Sequence, residues 1–205
     1  MTYGELIENY RLEVVTQQRL AECEPFSCGN EDLDDFFINS AVAYSEYLLG
    51  KTYQFRSVNE PDIIACTFTL SNDSIRITNK FHEDYKDKFL NDANLSEKGL
   101  RRYPAVLIGR LGTNTKFSGQ GVGSAVMHFI KTWVYTETLT GCRFLIVDAY
   151  NTPNTIRFYQ KNGFHFLIDD EKLEAKYMGI GVGRFPLHTR LMYYDLIEMK
   201  LGRTV

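Results

Sequence analysis

Apolar positions along the chain repeat at two different spacings, and the switches between them outline the elements. Residues 11–16 (RLEVVT) read as a short first strand. Leu33, Phe36, Phe37, Ala41, Tyr44, Tyr47 and Leu48 then recur at helical spacing and predict an amphipathic helix. Asn30 is its expected cap and Gly50 its expected end. Glu31, Asp32, Asp34 and Asp35 fall in its first turns, where the helix dipole favours negative charge. Strands are expected over 52–58 and 63–70, across the turn sequence Asn59-Glu60-Pro61-Asp62. Residues 104–111 (PAVLIGRL) are nearly all apolar, as for a strand covered on both faces.

A helix over 121–139, a strand over 143–150, a helix over 155–162 closed by Gly163, and strands over 164–168 and 191–197 complete the pattern. Residues 71–102 and 169–188 are polar and weakly periodic; they are expected as long connections, the first with some helix. Hairpin-like pairs dominate the first half and strand–helix–strand units the second. The expected fold is α/β (mixed α+β): one central mixed sheet of about seven strands flanked by helices. At 205 residues the default is one domain over 1–205.

Charge changes this picture only locally. The formal net charge is −3, so the chain as a whole is not built to hold polyanions. Basic residues gather between Arg76 and Lys116, whereas residues 1–60 are mainly acidic. Cys23, Cys28, Cys66 and Cys142 form no CxxC, no histidine stands at zinc-finger spacing from them, and no metal is expected. No apolar run reaches the roughly 18 residues of a membrane span, and the first residues lack a signal-peptide pattern, so a cytoplasmic protein with reduced thiols is expected.

Candidate chemistry sits where the apolar strand at 104–111 runs into Gly112-Thr-Asn-Thr-Lys-Phe-Ser118-Gly119-Gln120-Gly121-Val122-Gly123-Ser124. The helix that follows carries Val126, Phe129, Ile130 and Trp133 on one face. The first amides of a helix have no internal partner, and the dipole adds partial positive charge, which together suit a diphosphate. Glycines let the phosphates approach the backbone and permit positive φ. A tight structural turn would use the same glycines. A P-loop would need Lys before Ser/Thr, and Ser124 is followed by Ala125. A dinucleotide fingerprint would need GxGxxG near the first strand, so neither fits. Gly179-Ile-Gly181-Val-Gly183 has no strand before it and reads as a flexible turn.

A second block, Asn151-Thr-Pro-Asn154-Thr-Ile-Arg157-Phe158-Tyr159-Gln-Lys-Asn-Gly163-Phe164, follows the strand at 143–150. The two blocks and their spacing resemble motifs A and B of the GNAT superfamily of N-acetyltransferases. The resemblance implies acetyl-CoA as co-substrate, in a cleft between the strands at 104–111 and 143–149. It implies strand contacts to the pantetheine arm at Leu111, Gly112 and Thr113, and loop amides on the diphosphate from Ser118, Gly119, Gln120, Gly121, Val122, Gly123 and Ser124. It also implies a cofactor contact from Asn154, with Asn151 as the alternative, and Tyr159 as general acid to the departing thiolate. Ser118 stands where the family usually has Gln or Arg, which removes a side-chain contact but keeps the backbone ones.

Over most of the chain, Phe26-x-Cys28-Gly29 with Leu33-Asp34, Thr69-Leu70-Ser71, and Tyr103-Pro-x-x-Leu107-Ile-Gly-Arg110-Leu111 are similar to acetyltransferase toxins of bacterial toxin–antitoxin pairs and their non-toxin relatives. That similarity implies aminoacyl-tRNA as one acceptor and an antitoxin as one partner, beside small or protein amines. A homodimer and a non-catalytic acyl-CoA sensor remain alternatives. Glu13, Asp148 and His82 are the candidate bases, and Cys28 reads as a space-filler before the first long helix rather than a nucleophile.

Overall fold

The computed structural model describes residues 1–95, 99–137, 140–181 and 185–202. Leu139, the expected end of the helix from Gly121, and Gly183 of the second glycine run lie outside them. The strands are β1 (Tyr10–Val14), β2 (Lys51–Ser57), β3 (Ile64–Arg76), β4 (Arg102–Thr113), β5 (Phe144–Tyr150), β6 (His165–Phe166) and β7 (Thr189–Asp195). They hydrogen-bond into one sheet in the order β1-β2-β3-β4-β5-β7-β6. The helices are α1 (Tyr3–Asn9), α2 (Gln17–Ala21), α3 (Glu31–Asp35), α4 (Ala41–Glu46), α5 (Glu83–Asp92), α6 (Val122–Glu137), α7 (Pro153–Lys161), α8 (Glu171–Met178) and α9 (Ile197–Lys200). Two compact units divide the chain: residues 1–71 with 108–133, and residues 72–107 with 134–205.

In the first unit β1, β2 and β3 form an antiparallel meander, from Tyr10↔Ser57 at one edge to Lys51↔Leu70 at the other. A register shift between Phe55 and Arg56 marks a bulge. Tyr53 and Phe55 meet the aromatic stripe of α6, with ring centroids 4.9 Å from Trp133 and 5.1 Å from Phe129. A separate cluster of Val15, Phe26, Phe36, Phe37, Ala41 and Ile64 packs around the segment that follows α2. Asn30 caps α3 as expected, its Oδ1 accepting the Leu33 amide at 3.1 Å.

The long helix after Asn30 is not continuous. A π-helical turn over Phe36–Ser40 separates α3 from α4. The wider turn brings the adjacent Phe36 and Phe37 into one core, where regular winding would splay them by about 100°. Helical winding ends at Glu46, and Leu48 turns the chain at φ 58°, ahead of Gly50. Gly50 has a spatial duty instead, because a Cβ there would lie 2.8 Å from Tyr44 Cε1.

In the second unit β5 pairs in parallel with β4 from Ala105↔Phe144 to Leu107↔Ile146, and antiparallel with β7 along its whole length. Phe89 of α5 packs on Tyr103, Phe144 and Tyr193, at 5.2–5.8 Å between ring centroids. Buried Glu174 of α8 receives the Arg190 guanidinium and the Leu191 amide, both at 2.6 Å. The two polar connections therefore contain ordered elements: β3 extends to Arg76, α5 occupies 83–92, and α8 caps itself on Asp170. The strand at 104–111 was expected to be covered on both faces. In β4, Tyr103 and Ala105 are buried but Arg102, Pro104 and Gly109 are exposed, so neither face of this stretch is covered along its whole length.

Lys131 is buried on α6, and burial lowers its ammonium to about 8. A depressed lysine loses its proton more readily folded than unfolded, so folding gains stability as pH rises from about 8 toward the free lysine value near ~10.4. Lys131→Met is expected to melt above the wild type at pH 7, with the gap narrowing by on the order of 2–3 kcal/mol as pH rises to about 10. Calorimetric melts across that range check the sign.

Candidate functional site

The strand that ends at Thr113 is tied down before the glycines begin. Asn114 is buried: its amide donates to Ala65 O at 2.9 Å, its Nδ2 to Ile64 O at 2.9 Å, and its Oδ1 accepts from Lys116 N at 3.0 Å. Thr115 N donates to Ser27 O at 2.9 Å. Ser27 is in turn held by Asp34, whose two carboxylate oxygens take Ser27 Oγ and Cys28 N at 2.7 Å each. Burial alone would raise the Asp34 carboxyl, but the Cys28 amide and the side chains of Cys28 and Ser27 outweigh it and hold the group below the usual range. Gly112 passes close beneath this segment. A Cβ there would stand 3.1 Å from Cys28 Cβ, Cys28 Sγ and Phe37 Cε2. Nothing local in the sequence marks the Asn114 anchor beyond the general preference of Asn for turns.

A short 3-10 turn over Thr115–Phe117 follows, and Ser118 N closes it on Thr115 O at 3.2 Å. Gly119 and Gly121 adopt φ of 74° and 80°, where a side chain is strained. Gln120 N donates to Phe117 O at 3.3 Å. Ala125 N closes a helical bond onto Gly121 O at 3.0 Å. The amides of Gly121, Val122 and Gly123 take no acceptor among the described residues. Gly121 is exposed, Gly123 half-buried and Val122 buried, at the positive end of α6, a helix of 16 residues; Met1 lies on this turn, its ammonium donating to Gln120 O at 3.0 Å. The expected diphosphate residues Ser118 to Ser124 thus run from an exposed turn into the first residues of α6, shortly after Leu111, Gly112 and Thr113. Ser118 presents its side chain to solvent, and Gln120 Nε2 is spent on Lys116 O at 3.0 Å. The loop accordingly offers backbone donors.

Tyr159 and Asn154 lie on α7 in the second unit. Thr152 caps this helix and Pro153 opens it, two residues earlier than the sequence pattern indicated. Tyr159 is 6% exposed, between the rings of Phe158 at 5.2 Å and Phe164 at 5.4 Å. Asn154 is exposed in the first turn. Asn151 is committed elsewhere: its Nδ2 donates to Glu171 Oε1 at 3.1 Å and Leu187 O at 2.9 Å, and its amide to His188 O at 2.9 Å. That distinction favours Asn154 as the asparagine available to a ligand.

Two of the three candidate bases lack the setting of one: Glu13 pairs with Arg56 at 3.4 Å and Arg19 at 3.8 Å, and His82 is exposed beside Asp84 at 3.7 Å. Asp148 on β5 differs, because burial of its carboxyl, with Asp73 adding to it, raises that group above the usual carboxylate range. Burial, with the Asp34 carboxylate adding to it, pushes the Cys28 thiol up to about 11, as befits a packing residue.

Residues 81–164 match the acetyltransferase (GNAT) family. Solved structures align over nearly the whole chain at low identity. AtaT complexed with acetyl-methionyl-tRNAfMet has 18% identity and a TM-score of 0.70, covering 96% of this chain and 100% of that one. A tyrosine-to-phenylalanine mutant of KacT has 17% identity and a TM-score of 0.68, covering 95% and 99%. AtaTR bound with AcCoA has 18% identity and a TM-score of 0.68, covering 96% and 99%. These likenesses establish the GNAT fold. No curated protein matches the sequence. Among the described residues no helix is long and apolar enough to cross a membrane.

Gly121→Ala puts a side chain at φ 80°, at a cost of about 1–2 kcal/mol, and displaces the amides beside it. Calorimetric titration with coenzyme A is expected to show at least tenfold weaker binding than wild type, while the melting point falls by only a few degrees. Cys28 is expected to react with iodoacetamide far more slowly at pH 7 than a free thiol of pKa near ~8.5.

Proposed function

We propose that this chain of GNAT fold, acting as a single domain over 1–205, transfers the acetyl group of acetyl-CoA to a primary amine. The observation that carries the reading is the set of amides without acceptors at the start of α6, after a strand end fixed by Asn114. Such a helix start suits an anion, and the diphosphate of acetyl-CoA is the one this reading assigns to it. Acetyl-CoA supplies the acetyl group as an activated thioester. Leu111, Gly112 and Thr113 line up the arm on β4, with their backbone groups toward the reacting carbonyl, and Asn154 adds a polar contact from α7.

The reaction is direct attack within a ternary complex. A neutral amine nitrogen bonds to the acetyl carbon, the carbon–sulfur bond breaks, and the thiolate takes a proton. Tyr159 supplies that proton: a phenol with a reference pKa near ~10 is protonated at neutral pH and regains its proton from solvent. The surplus proton on the attacking nitrogen passes to water. An α-amino acceptor, with a pKa near ~8, needs less help from a base than a lysine side chain near ~10.4, and fits this reading better.

Aminoacyl-tRNA is the acceptor reading that one further observation favours. Lys80 and Lys176 stand around a surface hollow of about 470 Å³ in the second unit, between the start of α5 and α8, with Lys86 there paired to Glu83 at 2.8 Å. Lys80 and Lys176 offer phosphate contacts on a chain that is otherwise slightly acidic. AtaT, of like fold, has been solved with acetyl-methionyl-tRNAfMet. An antitoxin partner belongs to this same reading.

Coenzyme A release is to be measured with a panel of small amines, peptides and aminoacyl-tRNA. Wild type is expected to turn over at least one α-amino acceptor, and Tyr159→Phe to lower kcat about 100-fold or more with coenzyme A affinity retained. Binding without turnover of any acceptor would support a sensor instead.

A further inference from the structure

A hollow of about 600 Å³ opens in the second unit between α5, β6 and β7, and none of its walls belongs to the residues assigned above to acetyl transfer. Its size is that of a small-ligand pocket. Tyr85, Phe89, Phe166 and Tyr193 give it aromatic walls, and Asp92, Asp195 and Glu198 give it an acidic rim. The charges at the rim are not all satisfied. Asp195 is balanced by Arg143, through contacts of 2.6 and 2.8 Å. Lys88, the one lysine of the lining, pairs with Asp169 at 3.7 Å. Asp92 is exposed and has no ion pair among the described residues.

Tyr193 points to what the hollow holds. Its side chain belongs to the core and only 9% of the residue is exposed, yet its hydroxyl lines the hollow without a hydrogen-bond partner among the described residues. The hydroxyl itself is not sealed from solvent, so water meets it until a ligand donor takes that place. Burial, reinforced by Asp92, Asp195 and Asp169, pushes this phenol up to about 12. It therefore stays neutral and offers an oxygen lone pair to a donor. Aromatic faces, a free carboxylate and a hydroxyl acceptor attract the same chemical class.

We infer that this hollow binds an organic cation, an ammonium or guanidinium group, seated against Tyr85 and Tyr193 with Asp92 and Glu198 at its charged end. The inference goes beyond acetyl transfer and stands or falls separately from it. A free small molecule and a basic side chain of a partner polypeptide both carry this chemistry, and they differ in what else they touch. An anion is disfavoured by the rim, and an uncharged ligand would leave Asp92 unanswered.

Calorimetric titration of the full chain with N-ethylguanidinium, its uncharged counterpart N-ethylurea, and an arginine-containing tripeptide amide tests it. Wild type is expected to bind the guanidinium and the peptide and not the urea. The double variant Asp92→Asn/Glu198→Gln is expected to weaken cation binding about fivefold or more, and Tyr193→Phe to weaken it about threefold. Circular dichroism checks that both variants stay folded. A peptide held at least tenfold tighter than N-ethylguanidinium assigns the site to a partner's side chain, and equal affinities assign it to a free small molecule. Equal binding of urea and guanidinium, no binding of either cation, or undiminished affinity in the folded double variant would overturn the inference.

Discussion

Backbone donors without acceptors at the front of α6 are the constraint around which the first unit is organised. A helix start normally hides its spare amides behind a side-chain cap. Here, with positive φ at Gly119 and Gly121, the donors of Gly121, Val122 and Gly123 are left without acceptors among the described residues. That exposure is useful only if the turn does not wander. Asn114 holds one end to β3, and the Asp34–Ser27–Thr115 chain of hydrogen bonds holds it to α3. The aromatic stripe of α6 on Tyr53 and Phe55 holds the other end. Preorganised donors of this kind bind without first paying to become ordered.

In the second unit a different device does the comparable work. Glu174 and Arg190 are both buried, and burial raises the glutamate's carboxyl although Arg190 and the Leu191 amide favour its charged form. The pair is therefore costly to hold and costly to break. Arg190 also donates to the carbonyls of Ile168 and Asp169, and Glu171 reaches both the Leu187 amide and Asn151. Together these bonds set the junction between β5 and α7. The Pro153 start of α7 then carries Tyr159 into its aromatic setting between Phe158 and Phe164.

Much of this was legible in the sequence because the physics is local. The glycine loop, the cap at Asn30, the buried strand β5 and the α7 block all announce themselves through neighbouring residues. What stayed hidden depends on distant partners. The amide-to-backbone bonds of Asn114 span 50 residues, and the Glu174–Arg190 pair turns a polar connection into an ordered α8. The π-helical turn at Phe36–Ser40 follows from two adjacent aromatics sharing one core, which periodicity alone cannot tell from a regular helix. The helix α1 was legible and passed over: Thr2 and Glu5 form a capping box, with contacts of 2.6 and 3.2 Å.

The most direct test of the account follows the amides themselves. In protein labelled with nitrogen-15 at glycine, coenzyme A at saturation should move the Gly119, Gly121 and Gly123 amide resonances strongly, while those of Gly50 and Gly141 stay in place. Unmoved loop signals, with the ligand in excess or bound elsewhere, would contradict the assignment of the diphosphate to the start of α6.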